Sequence, residues 1–146
     1  MALESLLYVS ESTIESISAE SEVKRILATA HAFNPSAGIT GALLFTGKHF
    51  AQVIEGEEAE ISRLIASIAR DTRHVQLNIV TRGSLAVRRF PDWSMAYNGP
   101  SQFVSRHVTQ LLNDPSPSES SRAAKWLAEI LEQFSGFGGA TAKKLV

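Results

Sequence analysis

The chain has 146 residues, 44% of them apolar and 20% charged, with no cysteine and a formal net charge of -1. That length fits one domain of common size with a short appendage, large enough to bury a core without covalent staples. Lack of cysteine excludes disulfides, thiolate metal sites, iron–sulfur clusters and thiol nucleophiles, and near-neutral charge excludes a global basic field for nucleic acid or an anionic membrane.

Leu6-Leu7-Tyr8-Val9 is a short apolar run that reads as a buried strand. Val23, Ile26, Leu27, Ala30 and Phe33 recur at helical spacing from about Ser18 to Asn34. Pro35 disfavours helical angles in the residue before it, so this helix is predicted to end at about Asn34. Residues 42–46 and 50–54 form two strands around Gly47-Lys48-His49, a hairpin signal. Ile61, Leu64, Ile65 and Ile68 mark a second amphipathic helix over about 58–70. Strands follow at 76–80 and 93–97.

Two helices are predicted beyond that. Phe103, Val104, Val108, Leu111 and Leu112 fit the first. Ser116-Pro117-Ser118-Glu119 is a helix start, with a serine cap and proline at the first position. Ala123, Trp126, Leu127, Ile130, Leu131 and Phe134 give the second its apolar face, and Ser135-Gly136-Phe137-Gly138-Gly139 should break it ahead of a frayed tail. The order predicts an α+β fold, ferredoxin-like βαββαβ with an added fifth strand and two helices over one sheet face.

Side chains at alternate strand positions share a face. Tyr8 therefore lies with Leu6, and Gln52 with Phe50 and Ile54, while Leu7, Val9, Ala51 and Val53 line the opposite face. Both faces are apolar and need cover. The C-terminal helix pair is expected to cover the second face or to dock on a partner subunit. Residues 1–98 are thus read as one domain and 99–146 as a helical extension.

Five acidic residues, from Glu4 to Glu22, precede the first cation, Lys24, which is the reverse of a signal peptide. No apolar run approaches a membrane span. The expectation is a soluble cytoplasmic protein that contacts neither membrane nor nucleic acid.

Gln52 is the most informative polar residue, because a side-chain amide in an apolar strand needs partners for its oxygen and both N–H donors. Neighbouring backbone could satisfy it. Tyr8 poses the same question and plain packing answers it equally well. Asn34 reads as a helix terminus. Trp93 and Met95 share one face of the last strand, more simply core than a cofactor box. His31, His49, His74 and His107 lack metal-ligand spacing, and Arg88-Arg89 reads as a solvated pair. No P-loop, G-x-G-x-x-G or G-x-S-x-G motif occurs, so the chain is not read as an enzyme.

Together these residues change the reading. Tyr8, Asn34 before Gly38-Ile39-Thr40-Gly41, Gln52 before Val53-Ile54-Glu55-Gly56, Arg70-Asp71-Thr72-Arg73-His74, and Arg89-Phe90-Pro91-Asp92-Trp93-Ser94-Met95 resemble the BLUF family of blue-light photoreceptors in order and spacing. The resemblance runs from residue 3 to about 98. It implies non-covalent flavin (FAD, with FMN or riboflavin as alternatives) between the first two helices, its ring against the sheet. Tyr8 would donate an electron and a proton to the excited flavin. Gln52 would bridge tyrosine and ring and rearrange in light, strengthening a hydrogen bond to flavin C4=O and shifting absorption to the red. Asn34 would bond the carbonyl edge, and Trp93 and Met95 would carry the signal into the last strand. Ser67 stands where a basic residue is frequent in the family, which leaves Arg70, Asp71 and Arg73 as contacts of the flavin tail.

A glutamine amide both donates and accepts, so flipping it exchanges two hydrogen-bond patterns at little steric cost, as a bistable switch requires. A cysteine-free chain suits photochemistry that forms no thiol adduct. Output is expected as changed contact with a downstream protein or a change of homo-oligomeric state. Phe103, Trp126 and Phe137 are candidate aromatic anchors, unless the last two helices only cover the sheet. The competing function is a light-inert ferredoxin-like module for ligand binding or dimerisation.

Overall fold

A computed structural model describes residues 2–98, 102–113 and 117–135, with backbone alone for residues 94–98, 117–121, 134 and 135. In chain order these are β1 (Leu3–Ser12), a 3-10 turn at Ser16–Ser18, α1 (Ala19–Phe33), β2 (Thr40–Phe45), β3 (His49–Glu57), α2 (Glu58–Ala69), β4 (His74–Ser84), β5 (Trp93–Asn98), α3 (Gln102–Asn113) and α4 (Pro117–Ser135). Pro117 opens α4, as expected. The Ser116 cap, the glycine break and Phe137 lie outside the described residues.

The sheet order is β4-β1-β3-β2-β5. Neighbours among the first four strands are antiparallel, and β5 adds parallel to β2 at the far edge. This is the α+β, ferredoxin-like arrangement with a fifth strand. Two strands are longer than their apolar runs. β1 is paired on both sides from Glu4, with Gly56 and Ser84, to Glu11, with His49 and Val75, interrupted on the β4 side by a bulge at Ser10. Ladder pairing recruits polar residues that carry no strand signal of their own.

Asn34 keeps helical angles (φ -61°, ψ -44°) although Pro35 follows it. The helical path runs on as a turn, with the Ala37 and Ile39 N–H groups reaching Asn34 O at 3.2 and 2.8 Å. Gly38, at φ +71°, then releases the chain into β2. Gly41 cannot carry a side chain: a Cβ would stand 2.0 Å from Val53 O.

The two faces hold separate cores. Leu6, Leu43, Phe50 and Ile54 pack under Val23 and Ile26 of α1 and Ile61 and Ile65 of α2. Leu7, Val9, Ala51 and Val53 pack on the other side under Val104, Val108 and Leu111 of α3 and Ala123, Leu127 and Leu131 of α4. Full burial of a leucine such as Leu127 contributes roughly 1.5–3 kcal/mol. The C-terminal pair therefore covers the second face, as strand alternation requires. Polar bonds pin it: Ser105 Oγ donates to Thr46 Oγ1 at 2.8 Å in a buried contact, and Asn78 Nδ2 to Leu111 O at 2.9 Å in a half-buried one.

Candidate functional site

A cavity of about 400 Å³ lies between α1 and α2, over the first sheet face. Tyr8 and Gln52, register partners on β1 and β3, face it. The Tyr8 hydroxyl donates to Gln52 Oε1 at 2.7 Å, and both side chains are buried. Cross-strand partners sit close enough for this contact without strain. With Oε1 engaged, the Gln52 amide offers the cavity its N–H donors. Burial, reinforced by the Asp71 carboxylate, pushes the Tyr8 phenol pKa far above its usual value, so the residue remains a protonated donor.

Asn34, buried at the end of α1, lines the same cavity. Trp93 lines it from the start of β5, 5% exposed, and its indole N–H is buried with no partner. Leaving such a donor unpaired is costly. Its ring meets the His31 imidazole edge-on, centroids 5.5 Å apart.

The mouth is cationic. Arg63, Arg70 and Arg73 line it together with Asp71 and Ser67. Arg63 pairs with Glu60 at 2.7 Å, and Arg73 with Asp71 and with Glu22. The hydrogen bond from Arg73 holds the Asp71 carboxyl below the usual range, and the same bond raises Arg73. Among the described residues, Arg70 is the cation at the mouth in no ion pair.

The walls are Ile26, Ala30, Leu43, Phe50, Leu64 and Ile68. An apolar slot with side-chain amides on its inner side and cations at its mouth suits a flat heteroaromatic ring with a polar edge and an anionic tail. The residues present therefore fit a flavin nucleotide.

Of the residues singled out in the sequence, the structure brings Tyr8, Asn34, Gln52, Arg70, Asp71, Arg73 and Trp93 to one cavity. Met95 is in register with Leu43 on β5, and its side chain lies outside the described residues. His74 was passed over for want of metal-ligand spacing, yet it also lines the cavity. Its Nε2 is 2.7 Å from Ile68 O, which can only accept, so that nitrogen carries a proton; Nδ1 meets Ser10 Oγ at 2.7 Å. The ring stands edge-on to Tyr8 and Phe50.

Arg88-Arg89 is exposed, as read, but it is also tied to the sheet. Arg88 Nη1 donates to Thr40 Oγ1 at 2.8 Å and to Glu55 O at 3.0 Å, and the Arg89 N–H reaches the Glu55 carboxylate at 3.1 Å. Glu55 itself is fully buried. Its signal was a lone charge on the face of Ala51 and Val53, where an unpaired carboxylate is not tolerated. On the helical layer, His107 stacks on Trp126, while the exposed Phe103 meets Trp126 edge-on and His107 at a tilt. Among the described residues no cluster of His, Asp and Glu could hold a metal, and no helix is long and apolar enough to cross a membrane.

Residues 3–96 match the BLUF family, sensors of blue-light using FAD. The photoactivated adenylate cyclase subunit beta of Euglena gracilis is 30% identical over 93 residues, which are 64% of this chain and 11% of that protein. BlrB, a BLUF protein solved in its dark state, superposes with a TM-score of 0.68 at 29% identity over 90% of this chain and 96% of that one. BlsA in its photo-activated state gives a TM-score of 0.72 at 24% identity, covering 95% and 98%, a likeness of fold.

Proposed function

We propose a function that proceeds from the family: the chain belongs to the BLUF family of sensors of blue light using FAD, and it acts as a photoreceptor that signals through hydrogen bonds rather than turnover. Bound flavin supplies blue-light absorption and an excited state able to oxidise a nearby phenol. With flavin bound, Tyr8 would be the residue that supplies it one electron and a hydroxyl proton and takes both back as the site relaxes, so nothing is consumed. The proton leaves along the Tyr8–Gln52 contact. Gln52 then rotates or tautomerises, exchanging which end of its amide faces the phenol. In the buried site each orientation presents a different set of donors, and the preference is large because an unpaired amide group there costs about 1–3 kcal/mol.

Asn34 and Gln52 orient the polar edge of the ring. Trp93 and Met95 pass the change of Gln52 into β5. Arg70, Asp71 and Arg73 contact the tail of FAD, with FMN or riboflavin as lesser occupants. Residues 1–98 form the sensor, and 99–146 form the extension through which it contacts a downstream protein or a second copy in the cytoplasm. The observation that carries this reading is the 2.7 Å hydrogen bond from Tyr8 to Gln52 on the cavity wall.

One spectrum tests it. Protein purified or reconstituted with FAD should be yellow and show a small, reversible red shift under blue light. A chain that refuses every flavin overturns the proposal. Bound flavin without any light-induced shift would make the chain the light-inert ligand-binding module instead.

A further inference from the structure

Glu55 has no part in the light response described above, and its surroundings are unusual. It follows Ile54 on β3 and lies on the face opposite Gln52, with no exposed surface. Oε1 accepts the N–H groups of Arg89 and Phe90, both at 3.1 Å, and the Thr40 hydroxyl at 3.3 Å. Oε2 also lies 3.1 Å from the Arg89 N–H and 3.7 Å from its Nε. The Glu55 carbonyl takes Arg88 Nη1. One residue thus engages three consecutive residues of the segment joining β4 to β5.

What that segment carries makes the arrangement consequential. Phe90, 1% exposed, is packed into the core beneath α3 and α4. Three positions on, Trp93 belongs to the core on the other face and lines the cavity. Between them, Asp92 O accepts the Gly41 N–H at 3.1 Å, and pairing of β5 with β2 begins at Trp93. Charge-assisted bonds from a buried carboxylate to backbone donors are directional and costly to leave unmade. They therefore define one position for residues 88–90 and, through it, where β5 begins.

We propose that Glu55 is a positioning residue of the photosensor: by clamping residues 88–90 it sets where Trp93 stands in the cavity wall and ties that placement to Phe90 under α3 and α4. Its functional consequence rests on the light-sensing reading. The clamp itself stands on the structure alone. Glu55→Gln tests it at almost unchanged volume: one amide oxygen cannot serve both places, and an N–H2 in the Oε2 place opposes the Arg89 N–H and guanidinium instead of accepting from them.

The experiment uses the full chain with flavin bound and Trp126→Phe as background, which leaves Trp93 the sole tryptophan of the two. Labelled as 5-fluorotryptophan, Trp93 is followed by fluorine NMR in the dark and under blue light, beside the visible spectrum. Glu55→Gln should keep flavin and the visible red shift, but displace or split the dark Trp93 resonance and abolish its dark–light difference. A Trp93 resonance that matches the parent in both states overturns the proposal, even if thermal stability falls, since a merely structural carboxylate would give that result. Should Glu55→Gln fail to fold, Arg88→Ala removes an exposed part of the clamp. It should shift the dark resonance the same way by less, and an unmoved resonance overturns the proposal equally. A parent without a red shift would sink the photosensor reading while leaving the dark comparison intact.

Discussion

Tyr8 and Gln52 are backbone register partners on adjacent antiparallel strands, and their side chains are joined as well, the phenol donating to the amide oxygen at 2.7 Å. Tyr8→Phe removes that donor and almost nothing else. The variant should bind flavin and keep its fold, lose the light-induced red shift, and lose about 1–3 kcal/mol of stability where the Gln52 oxygen is left unpaired. Gln52→Leu should likewise keep flavin and lose the shift. Visible difference spectra and urea denaturation read both effects, and a normal photocycle in either variant would contradict the roles assigned.

Tyr8 also predicts an alkaline dependence of stability. Burial, then Asp71, raises the folded phenol above its ordinary value of 10.0. Below that value Tyr8 is protonated in both folded and unfolded chains, and its contribution is fully present. Above it the unfolded phenol ionises while the folded one does not, so stability falls as pH rises toward the folded value. The loss approaches about 1.4 kcal/mol per pH unit from this one group. Denaturation at pH values on either side of 10 should therefore show a steeper decline for the native chain than for Tyr8→Phe.

What the sequence reveals about this protein is local and periodic. Apolar residues at helical spacing place α1 and α2, and Gly47 marks the hairpin. Alternation along β1 and β3 separates the face of Tyr8 and Gln52 from that of Ala51 and Val53, which predicts both helical layers. What it hides is non-local. Alternation puts the Glu55 charge on the apolar face of Ala51 and Val53, but nothing local names its partners, Arg89 and Phe90, 34 and 35 positions away. His74 depends on Ser10, 64 residues earlier, and on a backbone oxygen with no signature in the sequence. Most cavity residues were legible through family resemblance, since no spacing rule links positions 8, 34, 52 and 93 before the sheet brings them together.

Arg70 carries a prediction about the flavin tail. Arg63 and Arg73 are held by carboxylates, whereas Arg70 stands at the mouth without an ion pair among the described residues. An exposed guanidinium meeting a phosphate contributes on the order of 1 kcal/mol, about a fivefold change in Kd. Arg70→Ala should weaken FAD and FMN by about that factor and leave riboflavin unchanged. Flavin titrations at low and high salt check this, because the difference should shrink as salt screens the charge. Equal weakening of all three flavins would place Arg70 beside the ring instead.

Gly41 is a site where no side chain can be accepted. Its φ of +146° disfavours L-residues, and an added Cβ would overlap Val53 O at 2.0 Å. Gly41→Ala must push β2 away from β3 or twist the strand, next to the pairing with Trp93. A loss of at least about 3 kcal/mol is expected, seen as a large drop in Tm or as insoluble protein. Gly47, with open space around its Cβ position, should tolerate alanine far better despite its φ of +91°.

Leu127→Ala separates the two layers. Leu127 is fully buried in the core that α3 and α4 form against Leu7, Ala51 and Val53. Truncation there removes transfer free energy and leaves a void, costing about 2–5 kcal/mol depending on how far the helices settle. The cavity is on the other face, and among the described residues none of its lining comes from α3 or α4. Urea denaturation should register the full loss, while flavin affinity and the size of the red shift remain those of the native chain wherever the variant is folded. The sheet is one layer of backbone, however, and Phe90 belongs to the damaged core while Trp93 belongs to the cavity wall. If the lifetime of the red-shifted state changes in Leu127→Ala while its amplitude does not, the two faces communicate through residues 90–93, and the helical layer senses what the cavity does.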